Sequence, residues 1–385
     1  MMLRIGLVTS EFPPDRGGVE TYAWQLAREL GQRPELQVIV YAPHKSARVT
    51  APPGVTIKPI LTSCMNLDWA KFRNEQIDVW HALSAAHTWI ATKNVPTIVS
   101  VHGNDFLAPY PLTMRPGLAL PGLHRFRPTA WRHLRQIWQY TTRRMLARAL
   151  PQAQTILSNS RYTAEILRQH FPTCADKIRV AWVGVDPSFF TVAQTPRRPV
   201  PQILTVSRLS EPRKNVGLVI QALATLRNKY EFEYTIAGEG PLKPDLERQS
   251  DALGLSTRVH FVGRVSDQGL RDLYATADLF VLTASITPDS HEGFGIVYLE
   301  AAASGVPSLA ARLAGAAEAV AEGRSGFFVH SPDVESISNA LDRFLGGAIQ
   351  FEAGNCRAFA RQFDWGRVAD LCEAAYRQAA PTAST

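Results

Sequence analysis

The chain has 385 residues, 45% hydrophobic, 19% charged and 9% aromatic, a globular composition too long for one ordinary core, so two domains are expected and disorder or a collagen-like fibre is excluded. Apolar runs such as Leu279–Leu282 and Gly295–Leu299 fall far short of the ~20 residues that span a bilayer, and no basic stretch leads into an apolar leader, so a soluble, cytoplasmic chain is the expectation. The net charge of +7 is uneven: residues 1–195 hold 22 Lys/Arg against 12 Asp/Glu, or +10, and residues 196–385 hold 19 against 22, or −3.

The first strand reads from Leu3 to Thr9, followed by a Pro- and Gly-rich loop from Ser10 to Gly18. Val19, Tyr22, Ala23, Leu26, Ala27 and Leu30 then recur at helical spacing, which makes a βα unit. Gly17 and Gly18 at the helix start either form a tight turn or bring backbone N–H groups to a phosphate. Further strands read at 37–41, 79–82, 97–101 and 155–158 as continuous apolar runs, the pattern of parallel sheets buried on both faces. Four cysteines, Cys64, Cys174, Cys356 and Cys372, are scattered with no C-x-x-C pair, so neither a disulfide framework nor a zinc knuckle is indicated. Residues 106–164 carry nine arginines and no Asp, Glu or Lys. Within them Trp131, Leu134, Ile137 and Trp138 fall at helical spacing beside Arg132, Arg135, Arg143, Arg144 and Arg148. That is the composition of a helix lying on an anionic membrane surface, or of a core helix with a solvated basic face. No recognised nucleic-acid module accompanies the charge, so nucleic acid is not an expected partner.

Residues 191–201, with three prolines at 196, 199 and 201, read as a linker, giving domains 1–195 and 196–365. The pattern then restarts with strands at 203–206, 234–237, 259–262, 279–282 and 305–309 and a helix at 216–226. Two doubly wound α/β domains follow, with the carboxyl ends of their sheets expected to face a central cleft. Neither G-x-G-x-x-G after the first strand nor G-x-x-x-x-G-K-[ST] is present, so a dinucleotide fingerprint and a P-loop are excluded. Instead, Arg208 at a strand end and Lys214 before a helix put two cations at the rim, either as solvated loop charges or to neutralise a departing diphosphate. Glu292 precedes a helix at Gly293-Phe294-Gly295, and Glu300 lies inside it among Val297, Leu299 and Ala301, where a carboxylate needs a partner. The glycine-flanked helix start offers free N–H donors.

Glu292 and Glu300 form E-x7-E, and with it stand 13–20 (PPDRGGVE), 78–82 (DVWHA), 101–105 (VHGND), 158–160 (SNS), 184–186 (GVD), 207–209 (SRL) with Lys214, 237–241 (AGEGP) and 363–365 (FDW). Together and in this order the chain resembles the retaining nucleotide-sugar glycosyltransferases of family 4 over nearly its whole length. One departure is 314–318 (AGAAE), where the family usually has two adjacent glycines. The resemblance implies a GT-B fold of two Rossmann-like domains, the first taking the acceptor and the second the donor, with a final helix 366–385 crossing back. It implies Arg208 and Lys214 on the diphosphate, Glu292 with the Phe294 and Gly295 backbone on sugar and phosphate, Glu300 on the ribose hydroxyls, His102 on the sugar, and Gly17 and Gly18 in donor binding. Asp105 is read as orienting its loop. Val262–Val265 is read as the nucleobase patch. No D-x-D occurs, so metal-independent transfer with no cofactor is expected. A hexose, with GDP-mannose or a deoxyhexose relative as first guess, would pass to a lipid-linked or lipopolysaccharide acceptor at the inner face of the membrane. A non-catalytic nucleotide-sugar-binding scaffold and an epimerase on the same fold are the alternatives.

Overall fold

The computed structural model describes residues 2–14, 17–62, 64–107, 140–195 and 198–381. The chain divides into two compact units, Met1–Gly184 with Trp365–Thr385, and Val185–Asp364. The division thus falls ahead of the proline-rich stretch read as the linker. Residues before it are already tied into the second unit: Gln194 Nε2 donates to the carbonyls of Tyr274 (3.2 Å) and Ser304 (2.6 Å), and Thr195 N to Ala275 (3.0 Å).

The first unit carries a seven-stranded sheet in the order β3-β2-β1-β4-β5-β6-β7. Its strands are β1 Leu3–Val8, β2 Leu36–Pro43, β3 Val55–Leu61, β4 Val79–Ala82, β5 Thr97–Val101, β6 Thr155–Ser158 and β7 Ile178–Val180. Every pairing is parallel. The order reverses between β1 and β4, which opens a crevice at the carboxyl ends of those two strands. The first helix, Gly18–Gly31, buries Tyr22, Ala23, Leu26, Ala27 and Leu30, the stripe its spacing predicts.

The second unit is a six-stranded parallel sheet in the order β10-β9-β8-β11-β12-β13. Its strands are β8 Gln202–Val206, β9 Glu233–Ala237, β10 Val259–Gly263, β11 Leu279–Leu282, β12 Ser308–Ala311 and β13 Gly326–Val329. The switch point here lies between β8 and β11. The strand read at 305–309 begins only at Ser308, because Val306 N donates to Ala301 O (2.8 Å) and Gly305 N to Ala302 O (2.9 Å). That pair of bonds caps the helix Ile296–Ala303 and uses the preceding residues.

The last helix, Trp365–Ala379, packs into the first unit by a stripe of Trp365, Val368, Ala369, Cys372, Ala375 and Tyr376. A Cβ at Gly184 would lie 2.5 Å from the Trp365 ring, so the approach of the segment after β7 to this helix excludes any side chain. Arg33 pairs with Asp370 at 2.6 Å, and Arg377 with Glu35. Beneath them runs a buried polar chain: Tyr376 Oη lies 2.6 Å from His81 Nδ1, His81 Nε2 lies 2.8 Å from Ser100 Oγ, and Ser100 Oγ lies 2.8 Å from Tyr22 Oη. Burial, with the neighbouring His102 ring, pushes His81 down to about 3, so the ring is neutral and purely hydrogen-bonded. An unfolded chain takes up that proton below about pH 6.5 and the folded one does not, so stability present at pH 7 is lost as pH falls from 6.5 toward 3. His81→Asn keeps a polar partner and cannot titrate. Urea titrations at pH 7 and pH 5 should show the gap between wild type and variant narrowing by roughly 1.4 kcal/mol per pH unit in that window.

Candidate functional site

At the β8/β11 switch point the loop after β8 runs from Ser207 through a 3₁₀ turn, Pro212–Lys214, into the helix Val216–Leu226. Asn215 makes the junction in a left-handed conformation, φ 57°, which asparagine tolerates better than most residues. Its Nδ2 donates to Thr283 O (2.6 Å) and Ser285 Oγ (2.7 Å), tying the β8 loop to the loop after β11. This knot places Lys214 Nζ against the Glu292 carboxylate in a close ion pair.

Behind it lies Arg213, which sequence reasoning did not single out. Its side chain is 8% exposed, donates from Nε to Ser290 Oγ (2.8 Å), and sits 2.6 Å from Glu211 and 3.6 Å from Glu292. The pattern Pro212-Arg213-Lys214 offered two adjacent cations and no means of telling which points inward. Arg208, by contrast, is 65% exposed and reaches Glu211 at 3.5 Å. Burial raises the Glu292 pKa, but Lys214 and Arg213 outweigh it and hold the carboxyl below its ordinary value. The site therefore gathers two carboxylates, Glu292 and Glu211, with two inward cations and one outward cation at the mouth of a parallel sheet.

Glu292 leads into Gly293, Phe294 and Gly295. Phe294 is buried against Phe363 (5.5 Å), so what it can offer a ligand is its backbone. Gly295 precedes the helix at φ +89°, and a Cβ there would meet the Tyr298 ring at 2.5 Å. The loop is clamped from below: Gly315 N donates to Glu292 O (3.0 Å), and a Cβ on Gly315 would lie 2.1 Å from Gly293 O. The family departure at this point resolves itself. Gly315 is the position that needs the close approach, whereas Ala314 sits at φ 49°, a left-handed conformation that costs a non-glycine residue roughly 1–2 kcal/mol.

Glu300, inside the helix Ile296–Ala303, is 8% exposed and accepts from Tyr274 Oη at 3.2 Å. Tyr274 belongs to the helix Asp267–Thr276 and is the partner that the sequence demanded without naming. Burial raises Glu300 to about 7; the Tyr274 bond opposes the rise, and Asp186 and Asp267 add to it. At the end of β10, Val262 is 44% exposed beside Gly263, whose carbonyl accepts from Gly238 N (2.8 Å), and the exposed Arg264 follows in the 262–265 patch.

In the first unit, His102 follows β5 and donates from Nε2 to Leu83 O (2.9 Å), with its ring edge-on to Tyr22 at 4.4 Å. A carbonyl can only accept, so Nε2 carries the proton and Nδ1 is the acceptor atom. Burial lowers the His102 pKa, with Asp105 and the Leu83 carbonyl opposing, which leaves the ring neutral at pH 7. Asp105 accepts from His102 N (3.0 Å) and Ala85 N (2.9 Å), the loop-orienting role expected of it. Over Gly17 lies the Glu20 carboxyl group, 2.5 Å from where a Cβ would be, so a phosphate at Gly17 and Gly18 would have to displace that side chain. Asp15 and Arg16 of that loop lie outside the described residues. So do Trp131, Leu134, Ile137, Trp138, Arg132 and Arg135. The helix at 140–149 buries Thr142, Leu146 and Ala149 and exposes Arg143, Arg144 and Arg148. No helix among the described residues is long and apolar enough to cross a membrane.

Because the folded Glu300 pKa lies above the unfolded value of about 4.5, the folded state gains relative stability below that value and loses it as pH rises from 4.5 through 7. Glu300→Gln should therefore stabilise the protein above pH 7, by up to roughly 3 kcal/mol, and leave stability near wild type at pH 4.5. Chemical denaturation at pH 8 and pH 5 reads the difference.

Two family profiles match the chain in succession: Glycosyltransferase Family 4 over residues 16–189, and Glycosyl transferases group 1 over residues 192–357. The GDP-mannose-dependent alpha-(1-6)-phosphatidylinositol monomannoside mannosyltransferase of Mycolicibacterium smegmatis is 29% identical over 368 residues, 88% of each chain. A D-inositol 3-phosphate glycosyltransferase from the same organism is 31% identical over 242 residues, 59% of this chain and 54% of the relative. Among solved structures, sucrose-phosphate synthase from Thermosynechococcus elongatus superposes with TM-score 0.75 at 18% identity over 98% of both chains. Anabaena HepE in complex with UDP-glucose superposes with TM-score 0.70 at 20% identity over 98% of this chain and 100% of that one. Two Rossmann-like parallel-sheet units, the ordered motifs and these matches agree: the chain is a GT-B glycosyltransferase and belongs to glycosyltransferase family 4.

Proposed function

We propose that this protein is a retaining hexosyltransferase that uses a nucleotide-sugar donor, with GDP-mannose as the first candidate, and a lipid-linked or lipopolysaccharide saccharide as acceptor. The observation that carries the reading is the ionised Glu292 held by Lys214 and Arg213 at the β8/β11 switch point, with Arg208 at its rim. Transfer requires charge stabilisation on a leaving diphosphate and on an oxocarbenium-like carbon. Arg208 and Lys214 supply the first, in place of a divalent metal. Glu292 and the backbone of Phe294 and Gly295 hold the sugar and its phosphate. Glu300, once ionised, accepts the two ribose hydroxyls. His102, neutral with Nδ1 as acceptor, suits a sugar hydroxyl as donor to it. Attack from the face of the leaving group, with the leaving phosphate taking the acceptor's proton, retains configuration and asks no base of the protein. The mannose guess is supported by the relatives whose names specify GDP-mannose.

Thermal melts with GDP, UDP and ADP and no added metal test the donor site, since a ligand at 100 times its dissociation constant stabilises by about 2.7 kcal/mol. One diphosphate is expected to stabilise, and its sugar conjugate is the donor to assay. Glu292→Ala should then cut transfer by roughly 10²–10³-fold, whereas unchanged turnover would remove Glu292 from the mechanism. Binding without turnover in the wild type would favour the scaffold reading.

For the acceptor side, the exposed Arg143, Arg144 and Arg148 would each gain about 1 kcal/mol at an anionic surface. Flotation should recover more protein with anionic vesicles than with neutral ones, and equal recovery would count against membrane recruitment.

A further inference from the structure

Two cations face the Glu292 carboxylate, and one of them, Arg213, also pairs with Glu211 at 2.6 Å. Lys214 closes on Glu292 directly, while Arg213 stands behind at 3.6 Å from the same Oε2 atom, just beyond hydrogen-bond reach. Arg213 is also the immobile member of the pair. Its Nε bonds Ser290, its Nη2 faces Glu211, and its carbonyl accepts from Ser285 N at 2.7 Å. Its Nη1 is buried with no hydrogen-bond partner. Lys214 is a compact charge on a flexible stem, free to change partner, whereas a guanidinium fixed by several contacts is not.

A diphosphate arriving at this rim draws the lysine away from Glu292, and the carboxylate would then stand buried, 13% exposed, with its direct partner gone. Leaving an ion inside a protein without its partner is strongly unfavourable, so without a second cation Glu292 would compete with the ligand for Lys214. The other groups around Glu292 do not fill that gap. His291 is neutral, pushed down to about 4 by burial with Arg213 adding to it, and the buried Tyr298 stays protonated.

We propose that Arg213 is a positioning residue that retains Glu292 when Lys214 is handed over to the donor diphosphate, its Nη1, already ion-paired with Glu292 at 3.6 Å, closing the remaining gap. The proposal rests on the donor-site reading above, and its test separates the two. Calorimetric titration uses whichever nucleoside diphosphate stabilises the wild type, GDP in the first instance, on four proteins: wild type, Arg213→Gln, Glu292→Gln and the double variant. Arg213→Gln is expected to weaken binding about tenfold, because Glu292 then keeps Lys214. Glu292→Gln is the reference for the cycle, since it removes both a group that itself meets the donor and the competitor for Lys214. The double variant should bind within threefold of Glu292→Gln, so that the loss caused by Arg213→Gln vanishes once Glu292 is neutral, a rescue that a merely structural role for Arg213 would not produce.

Unchanged affinity in Arg213→Gln, or a double variant that still binds about tenfold more weakly than Glu292→Gln, overturns the proposal while leaving the donor site standing. Failure of the wild type to bind GDP, UDP or ADP overturns both. Should Arg213→Gln fail to fold, Arg213→Lys replaces it in the same cycle. Its shorter side chain cannot reach both Glu211 and Glu292, and about threefold weakening reversed by Glu292→Gln is then the expected result, with no reversal counting against the proposal.

Discussion

A carboxylate cannot be taken out of water without cations to meet it, and in the second unit Glu292 is met by Lys214 and Arg213. Much of the surrounding construction serves that encounter. The parallel sheet reverses its order between β8 and β11, so the two loops that carry the opposite charges leave the sheet side by side. Asn215 stitches those loops together, and Gly315 comes close enough beneath Gly293 to fix the height of the Glu292 backbone. Loss of both cations would leave a buried charge uncompensated, an error typically worth several kcal/mol.

Glu300 shows the opposite economy. Its partner is a neutral tyrosine, and burial raises its pKa to about 7. A glutamine would satisfy Tyr274 at less cost to the folded state. On the function proposed above, the carboxylate is kept for a ligand with hydroxyl donors, at the expense of stability. His102 follows the same logic from the other direction: burial keeps its ring neutral, and the Leu83 carbonyl decides which nitrogen is left to accept.

The sequence made the parallel α/β architecture legible because interior strands are continuous apolar runs. The strands it concealed, β3, β7 and β13, are all sheet edges. β3 carries Lys58 and Pro59 in its middle, a composition an edge tolerates because one side of the ladder is unpaired, and β7 is three residues long. In the site, residues fixed by motif spacing, Arg208, Lys214, Glu292 and Glu300, were readable. Arg213 and Tyr274 were not, since which neighbour of a turn lysine points inward, and which distant helix meets Glu300, are decided by packing. The boundary between units was misplaced for a related reason: prolines mark where a chain cannot pair, while Gln194 and Thr195 show where it already has.

The first unit is assembled from both ends of the described chain, and the second is a single uninterrupted stretch. On the ribosome, therefore, the second unit has every residue it needs while the first still lacks its closing helix. Until Trp365–Ala379 emerges, Tyr22 and His81 have neither Trp365 to pack against nor Tyr376 to bond. The first unit is therefore the one whose packing waits on a helix encoded after the whole of the second.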